Sequence, residues 1–144
     1  QLSRTMLSEV RQAVSGLKDK SLSAYLSALK KELEQHQFSV NINNELSTEL
    51  NSVSSDIEAS LVLILTEAST NILRHSRGNA VTITLKKQND KIMLKVNDNG
   101  KVTNFKQGNG LIGITERCYN LNGSLAISIQ HGFTLTVILE EKHD

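Results

Sequence analysis

Four polar side chains interrupt the apolar helical pattern of the segment Leu65–Asn79, and their types are those that bind phosphates and divalent cations. Glu67, Asn71, Arg74 and His75 lie beside the apolar face when the segment is placed on a helix at roughly 100° per residue. A carboxylate can hold or deprotonate a water, an amide oxygen suits magnesium, and Arg and His bind phosphate oxygens. For this helix alone, a solvent-exposed edge is a simpler interpretation than a binding site. A second, independent element of the sequence is needed to choose between the two.

A second group of polar residues ends a predicted strand at Asn97–Gly100. Short polar residues followed by glycine are common in turns, and a turn explains the segment without any ligand. Asp98 also has a chemical interpretation, because a carboxylate at a strand end can accept a hydrogen bond from the exocyclic amine of adenine. Both interpretations remain open at this point.

A third group is the glycine-rich stretch 108–113, before and within a predicted helix. Gly108 and Gly110 precede Leu111, and Gly113 falls in the first predicted turn. Backbone N–H groups at a helix start bind anions, and the helix dipole favours them. A Rossmann site needs a parallel βαβ unit and a Walker loop needs a following Lys, and the sequence indicates neither. The glycines therefore predict phosphate binding in some other fold.

Four helices are predicted from the spacing of apolar residues, with a polar loop before the third. They cover Leu2–Leu17, Ser21–Gln37, a stretch from about Ser54–Asp56 to about His75 that Gly78 stops, and Leu111–Leu121.

Five strands are predicted from alternating apolar residues. The first runs from Phe38 through Ile42, and two hairpins turn at Gln88–Asp90 and at His131–Gly132. The order of elements predicts an α+β fold: a two-layer α/β sandwich with a mixed, mostly antiparallel sheet. We expect helices to cover one face of this sheet and an N-terminal helix to precede it.

Composition limits the class of protein. A chain of 144 residues with net charge +1 suits one compact domain and indicates no nucleic-acid or membrane surface. Cys118 is the only cysteine, which excludes an internal disulfide and a multi-Cys zinc site and favours a reducing compartment. No apolar run has the length of a transmembrane helix, and no signal peptide is recognisable.

Taken in order, these elements resemble the ATP-binding domain of histidine kinases in the GHKL superfamily. The N box is matched by EASTNILRHS, the first glycine box by NDNG and the second by GNGLIGITERC. The sequences of these motifs are most similar to those of NarX/DesK-type sensor kinases. The resemblance covers nearly the whole chain. It implies the end of a dimerisation helix and linker at residues 1–18 and a Bergerat-type ATP-binding catalytic domain at residues 19–144.

The resemblance implies a role for most of these polar residues. Glu67 and Asn71 would flank magnesium and the phosphates, with Asn71 as a metal ligand and Glu67 as a catalytic residue that orients or deprotonates the attacking imidazole. The implied ATP contacts are Asn71, Arg74 and His75 on the phosphate side, Asp98 with Gly100 at adenine, Gly108, Gly110, Leu111 and Gly113 at the lid and helix start, and Thr134 near Asp98. For Thr134, ordinary strand propensity is an equally good explanation.

The resemblance also implies the reaction: transfer of the γ-phosphoryl group of ATP, with magnesium, to a histidine. None of His36, His75, His131 and His143 has the sequence context of a phosphoacceptor. The acceptor is therefore expected on a separate dimerisation domain of a longer, homodimeric parent chain. That parent would be a membrane-bound sensor acting on a response regulator, and the present piece would be cytoplasmic, without nucleic-acid or membrane contact.

Three other functions remain open from the sequence. An anti-sigma-type serine kinase would use the same pocket to phosphorylate a partner protein, and a degenerate domain would bind only a nucleotide or a protein. A GHKL ATPase that acts by dimer closure would need a larger lid and a transducer domain, and the sequence indicates neither.

Overall fold

A computed structural model describes residues 22–46, 54–101, 109–120 and 123–140 of the chain. Within these ranges lie three helices, α1 (Leu22–Gln35), α2 (Ser55–His75) and α3 (Asn109–Asn120), and five strands, β1 (Ser39–Asn44), β2 (Ala80–Gln88), β3 (Lys91–Asp98), β4 (Ser124–Ser128) and β5 (Phe133–Glu140). The predicted helix Leu2–Leu17, the domain boundary after residue 18, Gly108 and His143 lie outside the described residues.

The five strands form one mixed sheet in the order β1-β2-β3-β5-β4. β1 and β2 are parallel, and the other three pairs are antiparallel. On the three central strands, buried side chains alternate with more accessible ones. The buried set is Val81, Ile83, Leu85, Ile92, Leu94, Val96, Leu135, Val137 and Leu139. Because, among the described residues, this is the face buried in the core, the predicted α+β sandwich with helices on one face is confirmed.

α1 ends in a cap that displaces the first predicted strand. Gln37 has a positive φ of 73°, and the backbone N–H of Phe38 donates to the carbonyl of Leu33 at 3.1 Å. These are features of a helix C-terminus in which the last carbonyls find donors after a left-handed residue. Phe38 therefore belongs to the cap, and β1 runs later than predicted, from Ser39 to Asn44.

α2 begins as predicted and ends for a different reason. Ser54 caps it, since its hydroxyl accepts a hydrogen bond from the backbone N–H of Ile57 at 3.3 Å. At the other end, the N–H of Ser76 still bonds to the carbonyl of Ile72, while Ser76 itself is extended at φ −72° and ψ 135°. The helix thus ends before Gly78, which lacks a positive φ, so the prediction that Gly78 stops it is wrong.

α3 packs beside α2 and starts earlier than predicted. Its first residue is Asn109, so Gly110 lies inside the first turn and Gly113 about one turn further along. Ile114 and Cys118 are its buried residues within the described part of the chain, so the Cys118 thiol is packed in the core. None of the three described helices is both long enough and apolar enough to cross a lipid bilayer.

A buried hydrogen bond joins α1 to α2. The Tyr25 hydroxyl lies 2.7 Å from Oγ1 of Thr66, and Thr66 donates its own proton to the carbonyl of Val62 at 2.7 Å. Tyr25 is therefore the donor in the bond between the two helices. Burial raises the pKa of Tyr25 to about 12, against the smaller opposite effect of this hydrogen bond.

Replacing Tyr25 by Phe is expected to lower the free energy of unfolding by about 1 kcal/mol, the net value of one such hydrogen bond. The loss stays small because Thr66 keeps its bond to Val62. Urea denaturation followed by circular dichroism measures it. Tyr119→Phe is the matched control, since Tyr119 is 81% exposed. Equal midpoints for the two variants would contradict the expectation.

Candidate functional site

Asp98 is the last residue of β3 and lies on the helix-covered face of the sheet, where only 4% of its surface is exposed. Its Oδ1 accepts two hydrogen bonds, from the hydroxyl of Ser76 at 2.9 Å and from the backbone N–H of Gly100 at 2.9 Å. No hydrogen bond between described residues reaches Oδ2, and this atom is not fully enclosed. One oxygen is thus engaged by the protein, and the other has no hydrogen-bond partner among the described residues.

The charge of Asp98 is costly in this position. Burial raises the pKa of its carboxyl above the usual range, and the hydrogen bonds from Gly100 and Ser76 offset part of that effect. A buried carboxylate without a counter-ion is unfavourable for folding. Such groups concentrate at functional sites, where binding or catalysis requires them.

Two glycines allow the end of β3 to lie directly against the segment that follows α2. A Cβ on Gly100 would lie 2.8 Å from the backbone nitrogen of Gly78 and 2.9 Å from Oδ1 of Asp98. A Cβ on Gly78 would overlap Oδ1 of Asn99 and lie 2.5 Å from the backbone nitrogen of Gly100. Only residues without a side chain fit this approach, which holds Asp98 in place.

Asn99 ties the same two segments together. Its Oδ1 accepts from the backbone N–H groups of Asn79 at 2.8 Å and Ala80 at 2.9 Å, and its Nδ2 donates to Oδ1 of Asn79 at 2.8 Å. The sequence analysis missed the roles of Asn99, Ser76 and Gly78. Short polar residues that bond to nearby backbone are a recognisable signal, but their partners are brought together only by the fold.

The four polar side chains predicted to form a site on α2 differ in their exposure to solvent. Glu67 and Asn71 are half-buried, whereas Arg74 and His75 are exposed. Among the described residues, none of the four side chains has a hydrogen-bond or ion-pair partner. Nδ2 of Asn71 is buried all the same.

An unpartnered buried amide is costly and calls for an explanation. Nδ2 of Asn71 can donate to a ligand oxygen, and rotation of the amide presents Oδ1 to a cation instead. Asn71 precedes Ser76 by five residues, about 7.5 Å along the helix axis. Asn71 therefore fits a magnesium or phosphate group bound nearer the N-terminus of α2 than the helix end beside which Asp98 lies.

Thr134 is not brought together with Asp98. It pairs across the sheet with Asn97, and its Oγ1 accepts from Nδ2 of Asn97 at 2.7 Å. Because side chains alternate along β3, this pair lies on the face opposite to Asp98. This corrects the expectation that Thr134 lies near Asp98. The residue directly across from Asp98 is Phe133, which is half-buried and packs against the core.

Two of the predicted phosphate-binding glycines, Gly110 and Gly113, lie near the start of α3. Gly110 is in the first turn of the helix, Gly113 is exposed, and among the described residues nothing would lie within 4 Å of a Cβ on Gly113. Internal packing therefore does not require a glycine at position 113. Gly108 and the side chain of Leu111 lie outside the described part of the structure.

No protein-family model matches the chain, but several curated proteins do. The sensor histidine kinase DesK of Bacillus subtilis is 32% identical over 143 residues, covering 96% of this chain and 38% of DesK. The sensor protein VraS of Staphylococcus epidermidis is 36% identical over 116 residues, covering 78% of this chain and 32% of VraS. The histidine-protein kinase/phosphatase UhpB of Salmonella typhimurium is 27% identical over 151 residues, covering 99% of this chain and 30% of UhpB. The chain thus spans between 30% and 38% of the length of these relatives.

Solved structures have the same fold. The histidine kinase domain of a blue-light activated kinase from Erythrobacter litoralis superposes with a TM-score of 0.74 at 16% identity, covering 98% of this chain and 76% of that domain. The histidine kinase AdeS of Acinetobacter baumannii superposes with a TM-score of 0.69 at 17% identity, covering 94% and 77%. At these identities the likeness concerns the fold alone. Together with the curated relatives, it shows that the chain belongs to the NarX/DesK-type sensor histidine kinases and has the fold of their catalytic domain.

Proposed function

We propose that the chain binds ATP with magnesium and holds the γ-phosphoryl group for in-line attack by a histidine on a separate dimerisation domain. The observation that carries this proposal is Asp98, a buried carboxylate with one oxygen engaged and the other available to a ligand. An acceptor that is kept ionised suits the exocyclic amine of adenine. Guanine presents a carbonyl oxygen at the corresponding position, and a carboxylate would repel it.

The phosphates would lie along the polar side of α2. Asn71 would hold magnesium or a phosphate oxygen, which would give its buried amide the partner it lacks. Arg74 and His75 lie about one helical turn C-terminal to Asn71 and are exposed. Both side chains are therefore available to phosphate oxygens. When bound, magnesium would supply neutralisation of the charge on the phosphates. The start of α3 would add backbone N–H groups.

Catalysis would consist mainly of positioning. Phosphoryl transfer needs attacking and leaving oxygens or nitrogens in line, and a protein contributes by orientation and electrostatics. Glu67 is half-buried and its carboxylate has no partner among the described residues, so it can orient the incoming imidazole or accept its proton. The acceptor histidine, a downstream response regulator, a homodimeric parent chain and a cytoplasmic location all belong to this proposal. DesK is a sensor histidine kinase and UhpB a histidine-protein kinase/phosphatase, which favours a histidine acceptor over a serine.

Two experiments test the proposal. Calorimetric titration of the chain with ADP and magnesium is expected to give saturable one-site binding, and its absence would overturn the nucleotide assignment. Mixing the chain with ATP and a helical domain that carries an acceptor histidine is expected to give acid-labile phosphate on that domain. Acid-stable phosphate on serine would instead support the anti-sigma-type alternative.

Replacing Asn71 by Ala is expected to weaken ADP binding in magnesium by roughly 10- to 100-fold, the value of one or two hydrogen bonds to charged groups. In EDTA the loss should be smaller. The variant should unfold no earlier than wild type, because Ala removes an unpartnered amide and is the better helix former. Titrations in magnesium and in EDTA, with thermal unfolding, measure both effects. The exposed Asn43 provides the control Asn43→Ala, and equal losses in both media would contradict a magnesium role.

A further inference from the structure

We infer that Ser76 is a positioning residue that makes this site select adenine over purines with a 6-carbonyl group. The inference rests on the proposed nucleotide function and concerns a side chain to which the sequence assigned no role. Ser76 does not need to touch the nucleotide, because it acts on the carboxylate of Asp98 through a hydrogen bond of 2.9 Å.

The direction of the Ser76 hydroxyl is set by its two partners. The backbone N–H of Gly78 can only donate, and it lies 3.0 Å from Oγ of Ser76. The hydroxyl must therefore accept from Gly78 and give its single proton to Oδ1 of Asp98. Because the N–H of Gly100 also donates to Oδ1, this oxygen receives two donors, and the carboxyl plane is held with Oδ2 as the remaining acceptor.

The backbone around Ser76 fixes the position of its side chain. Its N–H closes the last turn of α2 on the carbonyl of Ile72 at 2.9 Å, and its extended backbone directs the side chain to the end of β3. A Cβ on Gly100 would lie only 2.9 Å from Oγ of Ser76. The hydroxyl is thus packed closely between the two glycines.

Base selection depends on whether Asp98 acts as an acceptor or a donor. An ionised carboxylate only accepts, so it pairs with the amine of adenine and repels a 6-carbonyl oxygen. A protonated carboxyl donates, and it would pair with the carbonyl oxygen of hypoxanthine or guanine. Two donors on Oδ1 favour the ionised form. Removal of the Ser76 donor allows the carboxyl to rotate and to carry a proton, so discrimination between the bases is expected to fall.

The test compares ADP with IDP, whose base differs in having a carbonyl in place of the amine. Ser76→Ala is expected to weaken ADP binding about tenfold, to leave IDP binding within about twofold, and so to lower the ADP preference about tenfold. Ser76→Thr keeps the hydroxyl and is expected to keep the preference. Ser27→Ala is the matched control, because Ser27 is exposed on α1 and its hydroxyl donates to the carbonyl of Ser23 in the same helix. Calorimetry gives the affinities, and thermal unfolding shows that each variant is folded.

The outcomes separate this inference from the function on which it rests. If wild type binds no ADP, the proposed function fails and the inference fails with it. Suppose that wild type binds ADP. If Ser76→Ala then keeps the wild-type ratio of ADP affinity to IDP affinity, or loses affinity for both nucleotides equally, the inference alone is overturned. Should Ser76→Ala not fold, Ser76→Cys retains the shape with a weaker donor and is expected to show an intermediate ratio. A wild-type ratio in Ser76→Cys would count against the inference.

Discussion

Replacing Asp98 by Asn is expected to reduce ADP affinity by at least about 100-fold without loss of the fold. Asn can keep its Oδ1 as the acceptor for Ser76 and Gly100, so the surrounding backbone has no reason to move. At the position of Oδ2 it places an NH₂ group, which would face the amine of adenine donor to donor. The loss combines a hydrogen bond to a charged group, worth about 1.5–3 kcal/mol, with that mismatch.

The same substitution should raise stability at neutral pH. The folded-state pKa of Asp98 lies above its usual value of 3.8 because of burial. Between the usual value and the folded value, the native state binds more protons than the unfolded state. The free energy of unfolding therefore falls as pH rises through that window, and the loss is complete above it. Asn does not ionise, so Asp98→Asn should melt at or above the wild-type temperature at pH 7, and this advantage should shrink below pH 3.8.

Calorimetric titration with ADP and thermal unfolding at several pH values measure the two effects together. Asp56→Asn is the control, since it also removes one carboxylate from a position near α2, but an exposed one in the first turn. It should keep ADP affinity and lose about 0.3–1 kcal/mol of stability through the helix dipole. An Asp98→Asn variant that binds ADP within threefold of wild type would remove Asp98 from the site.

Replacing Gly132 by Ala is expected to lower the free energy of unfolding by about 2–4 kcal/mol. Gly132 follows the turn between β4 and β5 with φ +84°, and a Cβ there would overlap the carbonyl oxygen of Asp98 and lie 3.0 Å from Cα of Asn99. The left-handed conformation alone costs an ordinary residue roughly 1–2 kcal/mol. The overlap adds to it, because backbone atoms cannot move aside as a flexible side chain would.

Because the backbone that would have to move is that of Asp98, Gly132→Ala should also weaken ADP binding. Urea denaturation measures the stability loss. Gly113→Ala is its matched control, because no atom of the residues that the structure describes would lie within 4 Å of a Cβ on Gly113. In a helix that change should be neutral or stabilising by up to about 1 kcal/mol. If Gly132→Ala unfolds within about 0.5 kcal/mol of wild type, the close contact between the turn and β3 is not as described.

Local patterns in the sequence were sufficient for most of the elements. The alternation of Val81, Ile83 and Leu85 predicted a half-buried strand, and these residues are the buried ones of β2. The polar loop before Ser54 and the apolar spacing after it predicted the start of α2 and its end near His75, although Gly78 does not stop it. These features follow from interactions between residues that are near in sequence, such as caps, turns and the period of a strand or helix. The helix-covered, mostly antiparallel sheet followed from their order.

The arrangement of the candidate site depended on contacts that are remote in sequence. Ser76 and Asp98 are 22 residues apart and meet because β3 ends beside the end of α2. Alternation predicts that successive residues of a strand face opposite sides, but it does not say which residue of the next strand lies across, and a shift of one residue exchanges the faces. The β3–β5 register places Phe133, and not Thr134, opposite Asp98. Only the assembled sheet could decide this, since the register is set by the pairing of whole strands and by the buried face they share.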